Sequence, residues 1–189
     1  MMSVPMSETD YLEGELIADF KKEYLNGHVY AMADENANHN LLTGNMLTAL
    51  SMHLKGKPCQ TYALRMKVKV GRNYFYPDVF VDCSDVDGYF TETPTLIVEV
   101  LSKSTGRMDE TTKRMLYLQI PSLQEYIFVE QDIVRIEVVR RSEGWQPMRY
   151  FLGDEIVLES LGLTLKVKDI YDRVRNEDMR EFLEWKLNL

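Results

Sequence analysis

The sequence predicts an α/β fold, in which a mixed β-sheet core is flanked by helices on both faces. Residues 94–101 (PTLIVEVL) form a continuous apolar run, which is typical of a central strand covered on both sides. Residues 36–54 carry leucine and methionine at helical spacing, and the Asn26-Gly27 pair predicts a tight type I′ β-hairpin. Helical and strand patterns therefore alternate along the chain.

The first third of the chain is predicted to form two helices with a hairpin between them. Residues 7–18 favour a short helix with Ser7 as its N-cap. The N-terminal hairpin occupies residues 22–32, and a longer helix follows with Asn36 or Asn38 as its cap. Gly56 and Pro58 end that helix because neither residue continues it well.

The rest of the chain is predicted to supply most of the sheet. Strands are expected within residues 60–70, 74–82, 94–101, 122–130 and 133–141, and a β-meander continues to residue 167. A helix is expected between residues 104 and 120, capped by Ser104 or Thr105, with an apolar stripe of Met108, Thr112, Met115 and Leu118. Residues 167–189 are predicted to be helical.

Length and composition favour one domain of 189 residues, with a core at about residues 20–170 and a C-terminal helix, residues 176–189, as an appendage. No apolar run is long enough for a membrane helix, and the first residues lack the features of a secretory signal, so we expect a cytoplasmic protein without a membrane partner. The two cysteines, Cys59 and Cys83, form no CxxC pair. We expect two buried or half-buried thiols and no disulfide.

The net charge of −8 argues against a protein that coats nucleic acid non-specifically. The charge is unevenly distributed, because residues 55–77 contain six basic residues and no acid. Three of them, Lys67, Lys69 and Arg72, are candidates for a rim that contacts phosphates of nucleic acid. The alternative is an ordinary solvated face of a strand pair.

Two carboxylates interrupt otherwise apolar strands, Asp78 in residues 75–81 and Glu99 in residues 94–101. An ionised carboxylate in apolar surroundings is costly unless a cation or good hydrogen-bond donors compensate it. If the two strands are neighbours, the carboxylates converge, and two such groups suit a hard divalent ion such as Mg²⁺, with Mn²⁺ as a substitute. The alternative is that each acid meets an arginine or a helix N-terminus and has no chemical role.

Several of these residues resemble a known family. Pro77-Asp78 followed by "EVL" at residues 99–101 is similar to the PD-(D/E)XK nuclease signature, in which an Asp, a second acid and a Lys build a metal site. The stretches "EYLNGHVYAM", "YPDVFV" and "EVLSKST" resemble the Uma-two family of "putative restriction endonucleases" from about residue 23 to 140, and on to about 170. The resemblance implies a restriction-endonuclease-like fold and hydrolysis of phosphodiester bonds in DNA.

The sequence departs from the general nuclease signature at Leu101, where the signature has Lys. By the family resemblance, a Lys from the following helix replaces it, and here that residue is Lys113. Asp109, Lys113 and Tyr117 share one helix face, so Lys113 is expected near the metal, with Tyr117 as a supporting residue. The alternatives are an ion pair between Lys113 and Asp109 on a solvated face, and Lys103 as the catalytic cation.

The same resemblance places His39 and Glu23 near the cleft, with Glu23 as a third carboxylate. His39 is expected to be a proton shuttle, a phosphate donor or an outer-shell group, and the alternative is a capping or surface histidine. The expected function is therefore a Mg²⁺-dependent endonuclease. An inactive nuclease fold that binds DNA or a protein is the alternative. The C-terminal helix spreads apolar residues around its circumference, which is compatible with a homodimer.

Overall fold

The computed structural model describes residues 5–32, 35–63, 65–101 and 109–188. Its helices are α1 (Glu8–Ile17), α2 (Ala37–Leu54), α3 (Arg114–Tyr117), α4 (Val167–Ile170) and α5 (Glu177–Leu187). A π-helical turn, Asp109–Lys113, runs directly into α3, and a 3₁₀ turn spans Arg141–Glu143. Its strands are β1 (Lys22–Leu25), β2 (His28–Ala31), β3 (Gln60–Ala63), β4 (Lys67–Val70), β5 (Asn73–Phe75), β6 (Val79–Asp82), β7 (Phe90–Thr91), β8 (Pro94–Leu101), β9 (Glu125–Glu130), β10 (Ile136–Arg140), β11 (Pro147–Tyr150), β12 (Glu155–Leu158) and β13 (Leu163–Lys166).

The larger sheet has the strand order β11-β10-β9-β8-β6-β3, with β8 in its interior. Strands β8 and β9 are parallel, and the other neighbouring pairs of this sheet are antiparallel. Successive residues of β8 face opposite sides. Val98 and Val100 join the large apolar cluster under α2, whereas Ile97 and Leu101 join a second cluster on the other face. The prediction of a central strand covered on both faces is confirmed.

A second sheet, with the order β2-β1-β5-β4-β7, carries the N-terminal hairpin. Asn26 and Gly27 have φ values of 51° and 86°, so both turn residues adopt the left-handed conformation that a type I′ hairpin requires. The region predicted as one or two strands within residues 60–70 forms β3 and β4, which belong to different sheets. The chain returns from the second sheet to the larger sheet between β5 and β6, just before Asp78.

The long helix α2 has a fixed N-terminus. The Asn36 side chain accepts a hydrogen bond from the backbone N–H of His39 at 3.0 Å, as expected for an N-cap. Asn38, the other predicted cap, instead accepts from the backbone N–H of Arg175. Leu42 and Met46 in α2 are fully buried on the larger sheet. The cap and this packing together hold the first turn of α2 in place.

The β-meander prediction is correct only for β11, which extends the larger sheet, because β12 and β13 pair with each other as a separate small sheet. Glu125 of β9 connects the two sheets. Its carboxylate is 2% exposed and accepts from Arg140 Nε and from the backbone N–H of Ser160, each at 3.2 Å. A buried carboxylate is stable here because a guanidinium and backbone donors compensate it.

The prediction of two free thiols is wrong, because Cys59 and Cys83 form a disulfide. Strands β3 and β6 are antiparallel and Gln60 pairs with Asp82. The residue before Gln60 and the residue after Asp82 therefore lie opposite each other at the end of the ladder. Cys83 is exposed and Cys59 is half-buried.

The predicted apolar stripe on the helix after β8 is correct only in part, since Leu118 packs against the second apolar cluster. Met115 is exposed, whereas Lys113 and Tyr117 are buried. The helix turns this face inward because the carboxylates that the Lys113 ammonium contacts lie there. Met108 and the two predicted caps, Ser104 and Thr105, lie outside the described residues.

The predicted helical end of the chain consists of α4 and α5, with residues 171–176 between them. Among the described residues, no helix combines the length and the apolar character needed to cross a membrane.

Candidate nuclease active site

The register between β6 and β8 brings the two predicted acids side by side. Val79 pairs with Val98 in this antiparallel ladder, so Asp78, one residue before β6, lies opposite Glu99. Asp78 Oδ2 accepts a hydrogen bond from the backbone N–H of Val100 at 2.7 Å, which ties it to β8. Asp78 is not itself in a strand, because Pro77 separates β5 from β6. The structure thus brings together the strand positions that the sequence singled out.

Lys113 reaches the same place from the helix after β8. Its Nζ lies 2.8 Å from Glu23 Oε1 and 3.8 Å from Glu99 Oε1. Lys113 is 6% exposed, so the alternative of a solvated helix face is wrong. Glu23 Oε1 also accepts from the backbone N–H of Tyr76 at 3.0 Å. The ammonium group compensates two buried carboxylates, which is the requirement for keeping them charged in this interior.

His39 approaches Asp78 from the first turn of α2. Its Nε2 lies 3.4 Å from Asp78 Oδ2, and its Nδ1 lies 3.3 Å from Glu35 Oε2. Burial alone lowers the pKa of His39, but the hydrogen bonds and charges of Asp78 and Glu35 outweigh it and raise the pKa to about 10. His39 is therefore an imidazolium held between two carboxylates near neutral pH.

Glu35, His39 and Asp78 form a group that fits a divalent cation. One ligand atom from each lies within 4.8 Å of the others. Two carboxylate oxygens suit Mg²⁺ or Mn²⁺, and His39 can join them as a ligand, acceptable to Mn²⁺, only when its imidazolium loses the proton on Nε2 or Nδ1. Sequence reasoning missed Glu35. The signal that could have found it is its position four residues before His39, since residues at that spacing meet at a helix end.

The remaining predicted site residues that the structure describes contact the core or acids of the same chain. Tyr117 packs its ring edge-to-face against Phe75 and Tyr126, with centroids 5.5 Å apart in each pair, so its contacts anchor α3 in the core. Lys103 lies outside the described residues. Of the basic rim, Lys69 pairs with Glu92 at 2.9 Å, Arg72 pairs with Glu8 at 2.9 Å, and buried Lys67 donates to the Tyr76 hydroxyl at 3.3 Å. Their role in binding nucleic acid stays a prediction.

Comparison with known proteins identifies the family of this chain. Residues 9–168 match the Uma2 family, described as "Putative restriction endonuclease". The chain belongs to the Uma2 family. It is 34% identical to the Synechocystis sp. protein slr1290 over 88% of this chain and 91% of that protein. It is 32% identical to sll1609 of the same organism, over 70% of this chain and 78% of that protein.

A solved structure shares the fold of this Uma2 protein. It is the crystal structure of "a putative nuclease belonging to DUF820" from Anabaena variabilis, with a TM-score of 0.75 over 90% of this chain and 100% of that chain. The identity is 15%, so the likeness concerns the fold. The predicted restriction-endonuclease-like architecture is confirmed. Leu101, where the general signature has Lys, is buried in the second apolar cluster, and the nearby cation comes from Lys113.

Proposed function

We propose that this Uma2 protein is a metal-dependent endonuclease that hydrolyses phosphodiester bonds of DNA, with Mg²⁺ or Mn²⁺ as the cation. The observation that carries the proposal is the position of Lys113 Nζ, 3.8 Å from Glu99 on the strand next to Asp78. An acid directly before one strand, an acid in the neighbouring strand and a lysine beside the second acid are the parts that the nuclease signature requires. The family and the fold support the same conclusion.

In this proposal Asp78 and Glu99 hold the metal, and Glu35 and His39, whose ligand atoms lie within 4.8 Å of Asp78, are available next to them. When bound, the divalent cation polarises a phosphoryl oxygen and makes a bound water more acidic. Lys113 orients the attacking water and offsets charge on the phosphate. Glu23 holds the Lys113 ammonium in place through the contact of 2.8 Å.

The test is cleavage of supercoiled plasmid DNA in Mg²⁺ and in Mn²⁺. We expect Asp78→Asn and Glu99→Gln to abolish cleavage, and Lys113→Gln to reduce it by about 100-fold or more. The matched control is Glu155→Gln, an exposed carboxylate on the small β12–β13 sheet that pairs with Lys166. Circular dichroism checks that each variant is folded. Cleavage by Asp78→Asn at the control rate would contradict the proposal.

A second candidate is a nuclease fold that binds DNA or a protein without cutting. Two observations favour it: the net charge of −8, and the ion pairs that engage Lys69 and Arg72 with acids of the same chain. Calorimetry with Mn²⁺ distinguishes the two candidates. An active nuclease binds the ion through Asp78, so wild type releases or absorbs heat that Asp78→Asn does not. An inactive fold gives the same trace for both proteins.

We also infer a homodimer through α5. Leu183, Trp185 and Leu187 are exposed on this helix, and Leu183 and Leu187 line a groove of about 620 Å³. The groove carries Glu177, Glu184 and Arg180 as well. A second copy related by two-fold symmetry would cover the exposed leucines of both helices. Light scattering is expected to give a dimer for wild type and a monomer for Leu187→Glu. A monomeric wild type would contradict the inference.

A further inference from the structure

The corner between α1 and β1 exposes an apolar patch that the fold does not need. Leu16, Ile17 and Phe20 are 60%, 87% and 77% exposed. Single exposed apolar side chains are ordinary, but here three lie within five consecutive residues. We call Leu16, Ile17, Phe20 and the adjoining Lys21 the α1–β1 corner. Such a patch is characteristic of a surface that contacts another molecule.

The corner lies beside the candidate active site. Lys21 Nζ lies 5.5 Å from the ring centre of Tyr76, two residues before Asp78. The backbone carbonyl of Lys21 accepts from the N–H of Met32 at 3.3 Å, which fixes the start of β1. Burial lowers the pKa of Lys21, and the charges of Glu35 and Asp78 act in the opposite direction. The negative charges of Glu35 and Asp78 therefore act on the Lys21 ammonium group.

A second cation shares this neighbourhood. Arg65 is exposed, and its charge lowers the pKa of Lys21 further. Lys67 Nζ also lies over Tyr76, 5.2 Å from the ring centre. Like charges that repel one another at one surface gain free energy when an anion binds between them. A phosphate group of a nucleic-acid strand that enters the site is such an anion.

We propose that the α1–β1 corner is a substrate-binding subsite, in which Lys21 and Arg65 hold a backbone phosphate and Phe20 stacks on an unstacked base next to the scissile phosphate. The inference rests on the proposed nuclease function and specifies its substrate: a strand with an accessible base, such as a single strand, a frayed end or a bulge. An exposed aromatic ring next to cations is the combination that binds single strands, because stacking tolerates any base and the cations follow the backbone.

The patch fits a nucleic-acid strand better than a second copy of the chain. A self-contact would bring Lys21 and Arg65 towards the same two cations of the partner, which costs free energy. A strand supplies negative charge and flat apolar rings together. Lys21 also lies 5.5 Å from the ring centre of Tyr76, two residues before Asp78, so a strand bound at the corner would lie close to the carboxylates that would hold the metal.

The test is binding of a fluorescein-labelled 12-mer, single-stranded or duplex, measured by anisotropy. All proteins carry Asp78→Asn to prevent cleavage. We expect Phe20→Ala to weaken single-strand binding at least tenfold and Phe20→Trp to preserve it. Lys21→Met should reduce the slope of log affinity against log salt by about 0.7 for a single strand. The matched control is Phe151→Ala, an exposed phenylalanine after β11, which should bind as the background protein does.

Stacking has its own readout. A 2-aminopurine placed in the oligonucleotide should lose fluorescence with the background protein and with Phe20→Trp, but not with Phe20→Ala. Equal binding and quenching by Phe20→Ala and Phe151→Ala would overturn the subsite while the nuclease proposal stands. A change of mass in light scattering for Phe20→Ala, with unchanged DNA binding, would assign the patch to a second copy and overturn it equally. Failure of the background protein to bind any oligonucleotide would overturn both proposals.

Discussion

Replacing Lys113 with methionine removes the ammonium group that lies 2.8 Å from Glu23 and 3.8 Å from Glu99, both buried carboxylates. Removing one partner of a buried ion pair costs about 3–5 kcal/mol, because the remaining charge keeps its desolvation penalty. Glu23 retains the N–H of Tyr76 at 3.0 Å, so the lower end of this range applies. We expect Lys113→Met to lower the free energy of unfolding by about 3 kcal/mol.

The assay is urea unfolding in EDTA, followed by circular dichroism. A double-mutant cycle supplies the control. Glu23→Gln in the Lys113→Met protein should recover at least about 1 kcal/mol, because it removes a charge that has lost its partner. Lys113→Arg keeps the charge and should cost less than Lys113→Met. A Lys113→Met protein within about 1 kcal/mol of wild type would refute the compensation argument, since a surface ion pair contributes no more than that.

Three further predictions concern other parts of the molecule. Reduction of the Cys59–Cys83 bond, which joins residues 24 apart, should cost about 3.5 kcal/mol of stability by loop entropy, and titration of two thiols in the untreated protein would contradict the disulfide. In EDTA, His39 should contribute its full stabilisation below about pH 6.5 and lose it as the pH rises towards its folded-state pKa of about 10. The free energy of unfolding should therefore fall more between pH 6 and pH 9.5 for wild type than for His39→Gln. Glu125→Ala removes the buried carboxylate that Arg140 contacts, but Glu143 stays 3.3 Å from Arg140, so the lower end of the range applies and the free energy of unfolding should fall by about 3 kcal/mol; a much smaller loss in urea melts would show that the β9 to β12–β13 connection is dispensable.

The elements that the sequence predicts correctly are those with a strong local pattern. The apolar run of β8, the helical spacing of α2 and the Asn26-Gly27 turn each specify their own conformation. The sequence also predicts that Asp78 and Glu99 converge if their apolar runs are neighbours, and β6 and β8 are neighbours in the larger sheet.

The features that the sequence does not reveal depend on contacts between distant segments. The disulfide requires the register of β3 against β6, which no local pattern specifies. The ion pairs that engage Lys69 and Arg72 join distant segments, since Lys69 meets Glu92 after β7 and Arg72 meets Glu8 in α1. The apolar spacing that pointed to Met115 was misleading, because the helix turns Lys113 inward to meet buried charge, and ordinary amphipathicity gives no sign of that.

The residues of the candidate active site come from separate pieces of the chain: Glu23 from the hairpin, His39 from the long helix, Glu99 from the central strand and Lys113 from the last element to arrive. During synthesis these pieces leave the ribosome in that order. A growing chain therefore lacks the full set of groups until Lys113 has emerged and its helix has docked. A chain that stops before Lys113 would lack the ammonium group that contacts the buried carboxylates of Glu23 and Glu99.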